Sequence, residues 1–371
     1  MNRFARWMVK HRVIVVIICL ALMIPSIFGM AATRVKYDLL YYLPEDLDTI
    51  KGQNILMEDF GKGAFSLCIT EGLSEVDQAD LEETIRQIPH VDTVIGYASA
   101  LNGSIPSAIL PDDLRERFEN GEDRIFAVFF DETSSAEDTM EAIADIRKAA
   151  GEKCFVSGLS AVVTDTKELV EEQEGIYVAI AVALCCIVLM LTMDSFLLPL
   201  IFLCCIGVSI LWNMGSNYFM GEISYITKAV AAVLQLAVTL DYSIFLWHSY
   251  KEQKSLCSDR DEAMTAAIVQ TFSSIIGSSL TTVAGFIAIC FMSFTLGRDL
   301  GVVMSKGVIL GVLGTITLLP CVIRMMDDLI TKTSHKPLLS QTSAALLSSI
   351  IKCFAYWLSC CAFRRSTAII T

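Results

Sequence analysis

The chain has 371 residues, 54% of them apolar, and a formal net charge of -13. Several apolar runs reach the roughly 20 residues needed to cross a hydrocarbon core about 30 Å thick. That excludes a soluble protein and predicts a polytopic α-helical membrane protein. The charge is unevenly placed: residues 33–175 hold 31 of the 41 acidic residues and only 12 of the 28 basic ones, so the remainder is mildly basic. An acidic block on a membrane part argues against a nucleic-acid partner. Thirteen cysteines do not make a disulfide framework. Only Cys68 and Cys154 fall in the acidic block, and most of the others lie in apolar runs, where Cys acts as a small hydrophobe. No CxxC or Cys/His metal spacing is present, so neither a metal nor another cofactor is expected.

In chain order, residues 1–12 carry Arg3, Arg6, Lys10 and Arg12 ahead of an apolar run, 13–32. The run is longer than a signal-peptide core of 7–15 residues and is read as a retained first span. Residues 33–175 then alternate strands and helices. Strands are predicted over 64–70, 91–97, 124–130 and 154–157. Helices are predicted over 74–88, with Ser74 as N-cap, and over 135–150, closed by Gly151. An excursion through Pro106 and Pro111 separates the middle strands. The order β-α-β-β-α-β is the signature of a ferredoxin-like fold. There the first and last strands are neighbours, which brings Cys68 and Cys154 side by side, as a disulfide or as two buried thiols. Residues 161–174 read as a helix feeding the second span.

Five further spans follow: 176–193, 196–215, 223–247, 272–294 and 301–323, with a possible interfacial helix at 261–270 and a turn at 296–300. Putting the N-terminus, Lys251, Lys254, Arg260 and Arg324 on the cytoplasmic side satisfies the positive-inside rule. The acidic block is then extracytoplasmic. The expected domains are 1–32, 33–175, 176–323 and a cytoplasmic or interfacial tail, 324–371. Residues 344–363 are apolar but contain Lys352 and precede Arg364 and Arg365, against the charge rule for an outward seventh span.

The fourth span contains Asp241. A carboxylate at mid-helix costs about 2.5–3.5 kcal/mol on the insertion scale, so an intramembrane Asp is a functional-site hypothesis by default. Counting along the helices puts Asp241 about 9 Å from the inner boundary. The stripe Ser278, Ser279, Thr281 and Thr282 of the fifth span falls at matching depth, as hydrogen-bond partners or water hosts. Tyr242 and Thr239 add local hydroxyls. Ser273, Ser274 and the Gly307/Gly311 pair read as small residues that allow close packing. Lys228 and Lys306 lie near the outer ends and are expected to snorkel.

The run Leu240-Asp241-Tyr242-Ser243-Ile244-Phe245-Leu246 resembles the fourth span of the MMPL branch of the RND transporter superfamily. The stretches Val9-Lys10-His11-Arg12, Met304-Ser305-Lys306-Gly307-Val308 and Leu318-Leu319-Pro320 are similar too, as is the order of one span, an outer domain and five spans. The resemblance covers about residues 1–337. It implies no enzyme but a bacterial plasma-membrane exporter or flippase of lipids or other hydrophobic molecules, driven by proton flow, with Asp241 and Tyr242 relaying the proton. Such transporters carry two half-units, and this sequence carries one. The expectation is therefore a half-transporter that forms a homodimer or joins a partner half, or a truncated product. Two other readings keep the fold: a SecF-like auxiliary of protein translocation, and a non-transporting sterol- or lipid-sensing module.

Overall fold

The structure is a computed structural model that describes residues 1–38, 40–59, 61, 63–96, 119–120 and 123–335. The expected excursion through Pro106 and Pro111 and the apolar segment 344–363 lie outside the described residues. The chain divides into two compact units, Tyr37–Glu171 and the helical remainder.

In the first unit, strand β2 (Ala64–Thr70) alternates strictly: Ala64, Ser66, Cys68 and Thr70 are buried, and Phe65, Leu67 and Ile69 are exposed. That is the period-two pattern of a sheet covered on one face. β2 pairs antiparallel with β5 (Asp123–Phe130) and β6 (Cys154–Ser157), and β5 pairs antiparallel with β3 (Val91–Ile95). The order is β3-β5-β2-β6, with the two-residue strand β4 (Glu119–Asn120) also on β5. Helices Glu75–Arg86 and Glu137–Ala150 cover one face through Ile85, Ile143 and Ile146. Ser74 caps the first of them, accepting from the Asp77 amide at 3.1 Å; satisfying an orphan N–H in this way contributes about 1 kcal/mol. Cys68 and Cys154 are free, buried and hydrogen-bonded to each other. That contact and burial push the Cys68 thiol up. The other sheet face leaves Phe65, Leu67, Ile69 and Phe155 exposed.

Among the described residues, six helices are long and apolar enough to cross a membrane: Arg12–Ala32, Leu159–Thr192, Leu197–Met220, Tyr225–Leu256, Arg260–Ile289 and Leu296–Lys332, here the first to sixth spans. The amphipathic helix Asn2–Lys10 precedes them. Two expectations need correction. Residues 261–270 are not a separate interfacial helix. Asp259 accepts from the Asp261 amide at 3.3 Å and starts one continuous helix to Ile289. Residues 296–300 are not a turn but the first residues of the sixth span. In both places polar residues in a helical turn read as a break, whereas helices here simply extend beyond the apolar run. A short parallel pair of strands, β1 (Arg34–Lys36) and β7 (Glu222–Ser224), was not foreseen. Each is only three residues long, too short for a sequence period.

The sixth span is the most enclosed, packed by the first, third, fourth and fifth. Its glycines set the spacing. A Cβ on Gly311 would stand 2.4 Å from Thr239 Oγ1, one on Gly314 2.1 Å from Ser209 Oγ, and one on Gly307 2.7 Å from Asn213 Nδ2. Polar side chains of the third and fourth spans thus lie directly on the helix backbone, the arrangement expected where small residues permit close approach in a membrane. Overpacking a well-filled interior costs about 1–3 kcal/mol, so Gly311→Leu is expected to lower the thermal midpoint in detergent by that equivalent. Gly277→Ala, whose new Cβ meets nothing within 4 Å, is expected to leave it unchanged or raise it, as Ala is the better helix former.

Candidate functional site

Asp241 sits at the middle of the 32-residue helix Tyr225–Leu256. Helical geometry turns consecutive residues by about 100°, and Asp241 and Tyr242 face different ways. Tyr242 is buried with Leu246, Trp247 and Tyr250 in the apolar core, and Thr239 is buried against Gly311. Asp241 is exposed, on the same side of the helix as Phe245 and His248.

The fifth-span hydroxyls divide similarly. Ser278 and Thr281 are exposed, Thr282 is half-buried and Ser279 is buried. Thr281 and Thr282 donate to the Ser278 carbonyl at 2.8 and 3.1 Å, and Ser279 donates to Ile276 at 3.0 Å. A hydroxyl has one proton to donate, so these three donors are committed to their own helix. Their remaining lone pairs are open to a proton donor.

The structure supplies both lysines with partners near the outer ends of the spans. Lys228 pairs with Glu174 at 2.9 Å. Lys306 donates to Asn217 Oδ1 at 2.5 Å, while Asp299 next to it accepts from Thr227 and from the Ser224 amide at 2.6 and 2.8 Å. In hydrocarbon each polar group needs an internal partner, and here neighbouring spans supply it.

Two assemblies escaped the sequence reading. One is a buried amide pair, Asn213 Nδ2 donating to Gln235 Oε1 at 3.0 Å above Gly307. An amide within an apolar run is the signal that could have flagged each residue. The other is an ion-pair network at the opposite end of the sixth span. Asp327, fully buried, takes Lys254 at 2.7 Å and Arg260 at 2.8 Å, and Arg260 also reaches Asp328 at 2.5 Å. Asp261 is shared by Arg12, at 3.2 Å, and Arg324. Lys251 pairs with Asp194 at 2.5 Å. The pairing was hidden because its members are up to 249 positions apart. Among the described residues no cluster of His, Cys, Asp and Glu is arranged to hold a metal ion.

A mid-span carboxylate, paired polar groups between spans and six membrane-length helices define a polytopic helical membrane protein. The sequence profile of the MMPL family matches residues 119–339, and the chain belongs to that family. It is similar to a putative membrane protein of Methanocaldococcus jannaschii, 24% identical over 344 residues that cover 82% of this chain and 89% of that protein. It is also similar to the siderophore exporter MmpL5 of Mycobacterium tuberculosis, 26% identical over 199 residues covering 51% of this chain and 21% of that one. An apo-petrobactin exporter of Bacillus anthracis is 19% identical over 297 residues, covering 74% and 37%. The chain thus spans most of the archaeal relative but well under half of either exporter.

Removing one partner from a buried, hydrogen-bonded charge group costs about 1–3 kcal/mol. Asp327→Ala is therefore expected to lower the unfolding midpoint in detergent distinctly. Asp328→Ala, whose carboxylate is 80% exposed, is expected to leave it nearly unchanged, as exposed pairs contribute little.

Proposed function

We propose that the chain is one half of a proton-motive-force-driven exporter or flippase of lipids or other hydrophobic molecules, with Asp241 and Tyr242 relaying the proton. The observation that carries this reading is a carboxylate at mid-span, on the side of the fourth span that its own bundle leaves uncovered. Turned to hydrocarbon it would cost about 2.5–3.5 kcal/mol, a penalty that a second half-unit removes by covering that face. The second half comes from another copy of the chain or from a partner chain. The names of the two bacterial relatives, both exporters, support export as the activity class.

Proton binding changes the charge at Asp241 by one unit, and each proton crossing 100 mV makes about 2.3 kcal/mol available. That biases a two-state equilibrium about fiftyfold. The protonated acid can donate a hydrogen bond where the carboxylate only accepts. Arg3, Arg6, Lys10 and Arg12 at the N-terminus support a cytoplasmic start in a bacterial plasma membrane, with the acidic unit extracytoplasmic. The strand order β3-β5-β2-β6 with antiparallel neighbours supports a ferredoxin-like porter domain. Its open face of Phe65, Leu67, Ile69 and Phe155 suits apolar cargo.

In proteoliposomes with an imposed pH gradient, translocation of a fluorescently labelled phospholipid is expected to depend on the gradient. Asp241→Asn is expected to reduce it to the protein-free rate, while Asp241→Glu retains part of it. Undiminished gradient-driven translocation by the Asn variant would refute the relay. A monomeric mass in mild detergent, with full activity, would refute the paired assembly.

A further inference from the structure

The helix Asn2–Lys10 buries Ala5, Met8 and Val9 and presents Arg3, Arg6 and Lys10 to the outside. Among the described residues none forms an ion pair with these three cations. The first 37 residues contain no Asp or Glu, and of the acids at the start of the fifth-span helix packed against this one, Asp261 is taken by Arg12 and Arg324. The three cations and Trp7 wall a concavity of about 280 Å³.

Trp7 is also a wall of a second, much larger cavity of about 990 Å³ between the first, third and sixth spans. Along the first span its lining runs from Val15 to Ala32, 17 residues apart, or about 25 Å of helix, most of the depth of a hydrocarbon core. The third-span wall meets the first span backbone to backbone, since a Cβ on Gly29 would stand 2.3 Å from the Gly215 carbonyl oxygen. The serine and threonine hydroxyls in the lining are turned to their own helices. Ser26 donates to Leu22 at 2.8 Å, Ser216 to Asn213 at 2.9 Å and Thr317 to Leu313 at 2.6 Å. No charged side chain lines this cavity. Lipid-facing apolar side chains are ordinary in a membrane protein. A dry groove that shares a tryptophan wall with a small basic concavity is not, because it matches an amphiphile with an anionic head and long apolar tails.

We propose that an anionic phospholipid occupies this composite site, its phosphate in the concavity formed by Arg3, Arg6, Lys10 and Trp7 and its acyl chains in the groove between the first, third and sixth spans. The ligand is resident rather than cargo: the groove and the exposed Asp241 share no residue, and occupancy requires no proton gradient. Bound there, the lipid bridges the amphipathic helix to the sixth span.

Two of the four tryptophans, Trp7 and Trp212, line the groove, which makes fluorescence a local reporter. The test uses the full chain carrying Trp247→Phe and Trp357→Phe in phosphatidylcholine nanodiscs, titrated with phosphatidylglycerol brominated on its acyl chains. Quenching is expected to saturate at a low mole fraction, well ahead of that produced by brominated phosphatidylcholine. Replacing Arg3, Arg6 and Lys10 by Gln is expected to weaken apparent affinity by about two orders of magnitude, since each surface cation contributes to anionic-lipid attraction. Leu313→Phe, which fills the groove and keeps the cations, is expected to reduce the quenching at saturation. Equal quenching by the two lipids at every mole fraction, or quenching unchanged in the triple Gln variant, would mean annular lipid only and overturn the proposal. Quenching that appears only after removal of residues 336–371 would give the groove to that segment and overturn it as well.

Discussion

Everything in the helical unit hangs on how closely its neighbours approach the sixth span. Gly307, Gly311 and Gly314 leave no side chain between that helix and Asn213, Thr239 and Ser209. Apolar association drives little in lipid, where tails are as apolar as leucine. Shape and polar contact then decide which helices meet. A glycine column does both, because it brings backbones close and makes room for the short polar groups that lie on it. The bundle is therefore most ordered where it is least hydrophobic, along a line of amides and hydroxyls enclosed by apolar walls.

The two ends of that column are closed differently. At one end Lys306 meets Asn217, and Asp299 binds Thr227 and the Ser224 amide. At the other, Asp327 and Asp261 each draw two cations from different spans. Asp241 stands apart from both. Asp241 lies on an exposed side of the fourth span, with Phe245 and His248.

Local periodicity made much of the architecture legible. β2 and β6 fall on the ranges their alternation predicts, and the cap at Ser74 and the stop at Gly151 mark real helix boundaries. The spans were legible as apolar runs, but their lengths were not. Helices such as Arg260–Ile289 and Leu296–Lys332 continue through polar residues, where hydropathy falls although the backbone pattern does not. Asp241 was legible because its cost is a property of one residue in its local run. The partners of Lys228, Lys306 and Asp327 were not, because each lies on another helix and only the packing brings them together. The paired Asn213 and Gln235 carried a readable signal, an amide in an apolar run, that only the fold turns into a contact.

The Asp261 carboxylate has a consequence for how the protein is made. It joins Arg12 of the first span to Arg324 of the sixth. Chains fold as they emerge, N-terminal parts first, and this counter-charge lies 249 positions after Arg12. The acceptor arrives with the fifth span, and its second cation only with the sixth. Closure of that three-residue bridge therefore follows the arrival of the sixth span, and a chain interrupted before it keeps the Arg12–Asp261 pair without its second cation.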